Sequence, residues 1–133
     1  MRSKVVLLFS MLIFCSCSSE TIVKSHEGKI LYQKHCEACH GNMGQGFEDL
    51  YPPLSGADFF IASPLAAACY MRNGLQGKIR VNQKEYEMEM PAFPQLSAIE
   101  ITNILNYIGN QWGNRLGYIS PAQVNEKLKT CQN

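Results

Sequence analysis

The sequence predicts an all-α domain of about four helices and long loops around a large apolar body. Two segments open on Ser-Pro, at 63–64 and 120–121, which is typical of a helix start. A third repeats Ile and Leu at helical spacing between 101 and 112. Much of the remaining chain is rich in glycine and proline, and such loops bury too little apolar area to offset the entropy of ordering them. Something large and apolar is therefore expected at the centre.

The first 16 residues have the layout of an export signal. Basic residues precede an apolar run at 5–14, which is shorter than the roughly 20 residues of a membrane span. Cys17 follows a small serine, as the lipid-bearing cysteine of a bacterial lipoprotein does, whereas Cys15 follows the bulky Phe14. Cys17 is therefore the predicted lipidation site and first mature residue. Leucine is usual where Phe14 stands, so an ordinary cleaved signal without lipid stays the alternative.

The mature chain divides into a tether and one domain. Residues 17–26 are mostly small and polar and predict the tether, which leaves 27–133 as a domain of ordinary size. Removal of the signal leaves 10 basic residues against 11 acidic ones, a net charge of −1 with histidine neutral. No basic patch is present in the sequence, so a nucleic-acid partner is not expected.

The first helix is predicted from His26 to Cys39, a stretch without proline. Gly28 and Tyr32 share one face of this helix, and the missing side chain at Gly28 allows another helix to approach closely. Glycine and proline then dominate residues 41–56, which predict an irregular loop.

The second helix is predicted with Ser63 as its N-cap and Pro64 at its first position, and it stops at Asn73-Gly74. Residues 78–95 alternate at first and then meet two prolines. They are expected to form a short strand or an extended loop with little sheet to join.

The third helix has the clearest pattern. Ser97 caps it, and Glu100 completes a capping box. The apolar repeat continues to Trp112, and Gly109 or Gly113 is expected to end the helix.

Three chemistries compete for the stretch CEACH, Cys36 to His40. A structural zinc site needs two more ligands, and Cys69 and Cys131 lack the usual spacing. A thioredoxin-like pair would follow a strand, whereas this pair ends a predicted helix. Covalent haem attachment needs two thiols one turn apart and then an imidazole for the iron. Cys36, Cys39 and His40 supply these parts in that order.

Three stretches together resemble a bacterial class I c-type cytochrome with one haem. They are GKILYQKHCEACHGNMGQG, YPPLSG and MPAFPQLSAIEITNILNYI, and the resemblance runs from about Gly28 to Asn114. It implies the cytochrome c fold and one covalently bound haem c as the apolar body. The implied function is one-electron transfer rather than catalysis. The implied setting is the periplasmic side of a bacterial membrane, as a monomer that meets a dehydrogenase, oxidase or reductase.

The resemblance also assigns site residues. Met90 becomes the sixth ligand of the iron, opposite His40, and a thioether favours the reduced metal. Met88 is the nearest rival but lacks a following proline. The carbonyl of Pro52 is expected to accept a hydrogen bond from the His40 imidazole, and Leu54 is expected to pack against the haem.

Several assignments stay open at this level. Cys69 and Cys131 form a disulfide or stay apart with Cys69 buried. The functional alternatives are a haem peroxidase or gas sensor with a displaceable methionine, and a CxxC protein without haem. The first and third helices are expected to cross where Gly28 and Tyr32 meet Ile104 and Tyr107. Four polar side chains are expected at the solvated surface rather than at the haem: His26, His35, Arg72 and Arg80.

Overall fold

A computed structural model describes residues 19–131, with side chains from His26 onward. Its elements, in chain order, are α1 (Ser19–His35), α2 (Glu37–His40), α3 (Asp58–Ala62), α4 (Ala66–Asn73), β1 (Ile79–Val81), β2 (Lys84–Tyr86), α5 (Ala98–Gly109) and α6 (Pro121–Lys129). The predicted export signal and Cys17 lie outside the described residues. Between residues 19 and 131, none of the helices has the length and apolar character needed to cross a membrane.

The core forms where α1 crosses α5, as predicted. Tyr32 is fully buried, and its ring centroid lies 5.5 Å from that of Tyr107. A methyl group at Gly28 would lie 2.9 Å from Cβ of Tyr107, closer than side-chain carbons pack. Ile104 is fully buried in the same core. The glycine therefore allows the close approach on which this crossing depends.

The predicted first helix is longer and less continuous than expected. It begins at Ser19 rather than near His26, so it extends into the segment predicted to be a tether. At its other end it breaks at Cys36, and α2 continues the chain for one turn to His40.

The predicted start of α4 is wrong. Ser63 ends α3 instead, and its N–H donates to the carbonyl of Phe60 at 3.2 Å. Pro64 and Leu65 form a turn, closed by a 3.0 Å bond from the Ala66 N–H to the Ser63 carbonyl, so α4 begins only at Ala66. The short helix α3 was not predicted.

β1 and β2 form an antiparallel hairpin, in which Ile79 pairs with Tyr86 and Val81 with Lys84. Its two turn residues, Asn82 and Gln83, both have positive φ, which suits a tight hairpin turn. This agrees with the prediction of a short strand with little sheet to join.

α5 begins with the predicted capping box between Ser97 and Glu100 and ends at Gly109. Trp112 does not continue the helix, since its φ is +52°. The chain turns there so that the indole packs 5.1 Å from the ring of Tyr32.

α6 opens on Ser120, as predicted, and Ser120 forms a capping box with Gln123. A disulfide between Cys69 and Cys131 joins α4 to the chain just after α6, with a Cα–Cα distance of 5.4 Å. The pairing that the sequence left open is therefore present.

Candidate functional site

One turn of helix brings together Cys36, Cys39 and His40. The His40 N–H donates to the Cys36 carbonyl at 2.9 Å, which winds the three side chains around a single turn. Cys36 is buried, and burial, with a smaller effect of Cys39, raises the pKa of its thiol to about 12. Neither cysteine is bonded to another described cysteine. The pair therefore presents two thiols beside one imidazole.

The His40 ring is held in one tautomer. Its Nδ1 lies 2.9 Å from the carbonyl oxygen of Pro52, which is the hydrogen bond expected from the sequence. A carbonyl only accepts, so Nδ1 carries the proton and Nε2 keeps its lone pair. Burial lowers the pKa of His40, and the bond to Pro52 acts in the opposite, weaker direction. The imidazole is therefore neutral at pH 7, with Nε2 free to bind a metal.

The loop that contains Pro52 is held by polar bonds from distant residues. The Leu54 N–H donates to the Gly44 carbonyl at 2.7 Å. Asn114, only 5% exposed, donates from Nδ2 to the Leu54 carbonyl at 2.9 Å and accepts from the Gly56 N–H at 3.0 Å. Sequence reasoning missed Asn114, because the pair Gly113-Asn114 has the signature of an ordinary helix stop.

An apolar cleft opens beside this turn, and its lining includes Cys36, His40, Leu54 and Met90. A second opening shares Cys36, His40 and Met90 in its lining, so the two are lobes of one cleft. This cleft is where the sequence required a large apolar body, and Leu54 lies at its wall as expected.

Met90 lines both lobes of the cleft, whereas Met88 lines only the second and is 50% exposed. Two backbone hydrogen bonds pair Met90 with Leu75: its N–H donates at 2.9 Å and its carbonyl accepts at 3.0 Å. The structure therefore brings Met90, from a loop some fifty residues away, to the cleft that His40 also lines.

Two of the four side chains expected at the surface lie elsewhere. His26 and Arg80 are exposed, as predicted. His35 is half-buried, since Phe93 packs edge-on at 5.4 Å, and it lines the second lobe. Arg72 is also half-buried, with its Nη2 donating to the Leu96 carbonyl at 2.8 Å. It does not line the cleft.

The donor set fits haem c. Two thiols one turn apart, a neutral imidazole and a thioether meet in an apolar cleft, and each is a known partner of this group. Across the described chain, no three His, Cys, Asp or Glu side chains are grouped so that they could hold a metal ion by themselves.

Comparison with known proteins agrees with this chemistry. The family profile described as Cytochrome c matches residues 25–112. Cytochrome c-552 of Thermus thermophilus is 35% identical over 92 residues, which cover 66% of this chain and 70% of that protein. The cytochrome c subunit of alcohol dehydrogenase (quinone) from Gluconacetobacter polyoxogenes is 30% identical over 107 residues, 77% of this chain but 22% of that subunit.

The fructose dehydrogenase cytochrome subunit of Gluconobacter japonicus is 28% identical over 116 residues, covering 82% of this chain and 23% of that subunit. The chain thus spans less than a quarter of the two dehydrogenase subunits and most of the Thermus cytochrome. The profile match, together with the thiols and imidazole of the cleft, shows that the chain belongs to the cytochrome c family, with its all-α fold, and is a haem electron carrier that binds haem c covalently.

Proposed function

We propose that this protein accepts and passes on one electron at a time, with His40 and Met90 as the axial ligands of its haem iron. Cys36 and Cys39 hold the haem through thioether bonds. Haem c supplies an iron that alternates between the ferric and ferrous states. The observation that carries the proposal is that a neutral imidazole and a thioether line the same apolar cleft. With both axial positions filled, no position is left for a substrate, so no enzymatic role is proposed.

Residues around the two ligands tune this function. The bond from His40 to the Pro52 carbonyl fixes the ring and makes the imidazole a stronger donor. The thioether of Met90 favours the ferrous state, and the apolar lining that includes Leu54 limits water near the iron. The thioether ligand and the apolar lining both raise the reduction potential.

The proposed location is the periplasmic face of a bacterial membrane. A lipid on Cys17, exposed by cleavage after residue 16, would hold the domain there through residues 17–26. Two similar proteins are cytochrome subunits of dehydrogenases, which supports a redox partner of that class, with an oxidase or reductase as the other candidate. We propose that the carrier works as a monomer. Cys17→Ala should move the protein from the membrane to the soluble fraction; full retention on the membrane would exclude lipidation at this residue.

The competing function is a haem peroxidase or gas sensor in which Met90 gives way to an external ligand. Carbon monoxide added to the reduced protein separates the two functions. A firm Met90 predicts slow, weak binding, whereas rapid binding would favour the sensor. The backbone pairing of Met90 with Leu75 supports a firm ligand.

The ligand assignment is tested with a matched pair of variants, Met90→Ala and Met88→Ala. The oxidised parent should show the weak sulfur-to-iron absorption band, Met90→Ala should lose it, and Met88→Ala should keep it. A haem stain that survives denaturing electrophoresis checks the covalent attachment in all three. Loss of the band in Met88→Ala alone would move the axial ligand to Met88.

A further inference from the structure

We propose that Arg72 is a positioning residue for the Met90 ligand: from α4 it fixes the far end of segment 90–96, which presents the thioether to the iron. Arg72 itself does not line the cleft, so it acts through the backbone of that segment. The inference rests on the proposed assignment of Met90 as the axial ligand.

Segment 90–96 is attached to α4 and the chain after it at three points. Its first residue pairs with Leu75 through two backbone hydrogen bonds. In its middle, the Phe93 N–H donates to the carbonyl of Met71 at 2.8 Å. At its end, Nη2 of Arg72 donates to the carbonyl of Leu96 at 2.8 Å. Of these three attachments, only the last is made by a side chain, so it can be removed without a change in the backbone.

The bond to Leu96 controls a turn. The Leu96 N–H donates to the Phe93 carbonyl at 3.1 Å, and the Leu96 side chain is 3% exposed. The next residue, Ser97, is the N-cap of α5. The segment is therefore closed into a turn between two helices, and Arg72 is the side chain that bonds to this turn from α4. Without it, the turn is free to open away from the cleft, and Met90 moves with it.

Fold stability alone does not account for an arginine at this position. Arg72 is half-buried, its Nε is buried without a hydrogen-bond partner among the described residues, and it makes no ion pair with a described carboxylate. The cost of a buried unpaired N–H is comparable to the gain from one bond to a charged donor. A long apolar side chain would fill the same space at no such cost. What the guanidinium adds is the fixed position of Leu96.

The consequence lies at the iron. A neutral thioether is a weak ligand, so its bond to the metal depends on how well the protein holds the sulfur in place. A looser segment lets the sulfur leave more often, and an external ligand then competes for the open position. Arg72 thus keeps the protein an electron carrier rather than a binder of small gases.

The experiment compares Arg72→Met with Arg72→Lys. Methionine keeps much of the length and loses the donor, so carbon monoxide should bind the reduced protein about tenfold more tightly, the size of effect expected from one charge-assisted bond. The sulfur-to-iron band of the oxidised form should weaken. Arg72→Lys, which keeps a charged donor, should recover part of both signals. Ser120→Ala is the control: it removes the cap of α6, a residue that does not line the cleft, and should leave band and gas binding unchanged.

The outcomes separate this inference from the proposed function. A parent protein without the sulfur-to-iron band, or with rapid carbon monoxide binding, would overturn Met90 as ligand whatever the variants do. Suppose instead that the parent shows the band and that Arg72→Met has the same band and the same affinity for carbon monoxide. That result would overturn the inference and leave the proposed function intact. If Arg72→Met fails to fold, Arg72→Gln decides, since its donor is too short to reach Leu96: unchanged signals there would equally overturn the inference.

Discussion

The two sides of the cleft are built in different ways. On the imidazole side, made of α2 and loop 41–56, both thiols and the proposed imidazole ligand lie within Cys36 to His40. On the thioether side, made of α4 and segment 90–96, the proposed ligand Met90 comes from a loop some fifty residues further along the chain. The imidazole side is joined to the core by the buried Asn114, whereas the thioether side is attached by backbone pairs and the half-buried Arg72.

The two sides should therefore respond differently to mutation. A buried side-chain amide that loses its bonds leaves polar groups without water, so damage on the imidazole side should destabilise the whole fold. The thioether side depends instead on backbone pairs and on Arg72, which is only half-buried. Damage there should change the ligation of the iron first, with a smaller loss of fold stability.

The largest effect is expected from Asn114→Ala. This change leaves the carbonyls of Leu54 and Ile108 and the N–H of Gly56 without their hydrogen-bond partner. The free energy of unfolding should therefore fall by about 3–5 kcal/mol. Denaturant titration of the haem-loaded protein measures it. The Pro52 carbonyl also moves, so the weaker donation from His40 should raise the reduction potential.

Asn106→Ala is the matched control for this test. Asn106 also makes three bonds to backbone groups, to Thr102 and Ile119, but it is only half-buried and lies away from the cleft. It should lose roughly half as much stability, about 1–2 kcal/mol, and leave the reduction potential unchanged. Equal shifts of potential in both variants would contradict a specific role of Asn114.

A smaller effect is expected from Gly74→Ala on the thioether side. Gly74 has a φ of +81°, and a methyl group there would lie 2.8 Å from the carbonyl oxygen of Met90. Gly77→Ala is the control, because Gly77 has a φ of +86° but nothing within 4 Å of an added methyl. In both variants the free energy of unfolding should fall, because alanine is strained at positive φ. In Gly74→Ala it should fall by about 1–2 kcal/mol more, because the added methyl group overlaps the Met90 carbonyl. Only Gly74→Ala should weaken the sulfur-to-iron band; an intact band in that variant would show that the Met90 backbone is not held as tightly as proposed.

The smallest effect concerns pH. The Ser97 N–H, and then its hydroxyl, donate to the Glu100 carboxylate and lower its pKa. A lowered folded-state pKa means that the stabilisation is present above the unfolded value of about 4.3 and is lost as the pH falls through the folded value. Acid should therefore loosen the capping box that follows segment 90–96.

Glu100→Gln isolates this charge, since glutamine keeps a capping box, as Gln123 does on α6. Melting temperatures of parent and variant should differ slightly at pH 7 and converge once the pH has fallen through the lowered pKa of Glu100. Glu126→Gln, which alters an exposed i,i+3 pair with Lys129, is the comparison. A gap that persists in acid for Glu100→Gln would refute the charge as its cause.

The helix starts show what the sequence predicts well. Ser-Pro at 120–121 begins a helix, because Ser120 accepts from the N–H of Gln123 and Gln123 bonds back. At 63–64 the same dipeptide does not begin α4. The residue three places after Ser63 is Ala66, whose methyl group cannot form the return hydrogen bond of a capping box. The Ser-Pro dipeptide therefore predicted a helix start correctly only where both residues of the capping box were present.

Side-chain roles were harder to predict than elements. His35 and Arg72 were expected at the surface, because charged or titratable side chains in a helix are usually solvated. Instead, Phe93 packs against His35, the Leu96 carbonyl accepts a bond from Arg72, and both side chains are half-buried. No local pattern indicates which histidine or arginine a loop from elsewhere will cover.

The sequence by itself determined the parts that depend on short range. The order of Cys36, Cys39 and His40 within one turn, the capping box of α5 and the apolar stripe that buries its face are all set by residues within a few positions of each other. Their physics is that of one helical turn, which the sequence shows directly.

Only the tertiary structure decided the rest. The pairing of Cys69 with Cys131, the bonds of Asn114, the pairing of Met90 with Leu75 and the bond of Arg72 to Leu96 join residues that are far apart in the chain. Each depends on where whole helices pack, and packing responds to the total shape and burial of the core rather than to any local pattern. The sequence motif therefore identified His40 as the proposed imidazole ligand, whereas the contacts that hold the Met90 segment were visible only in the fold.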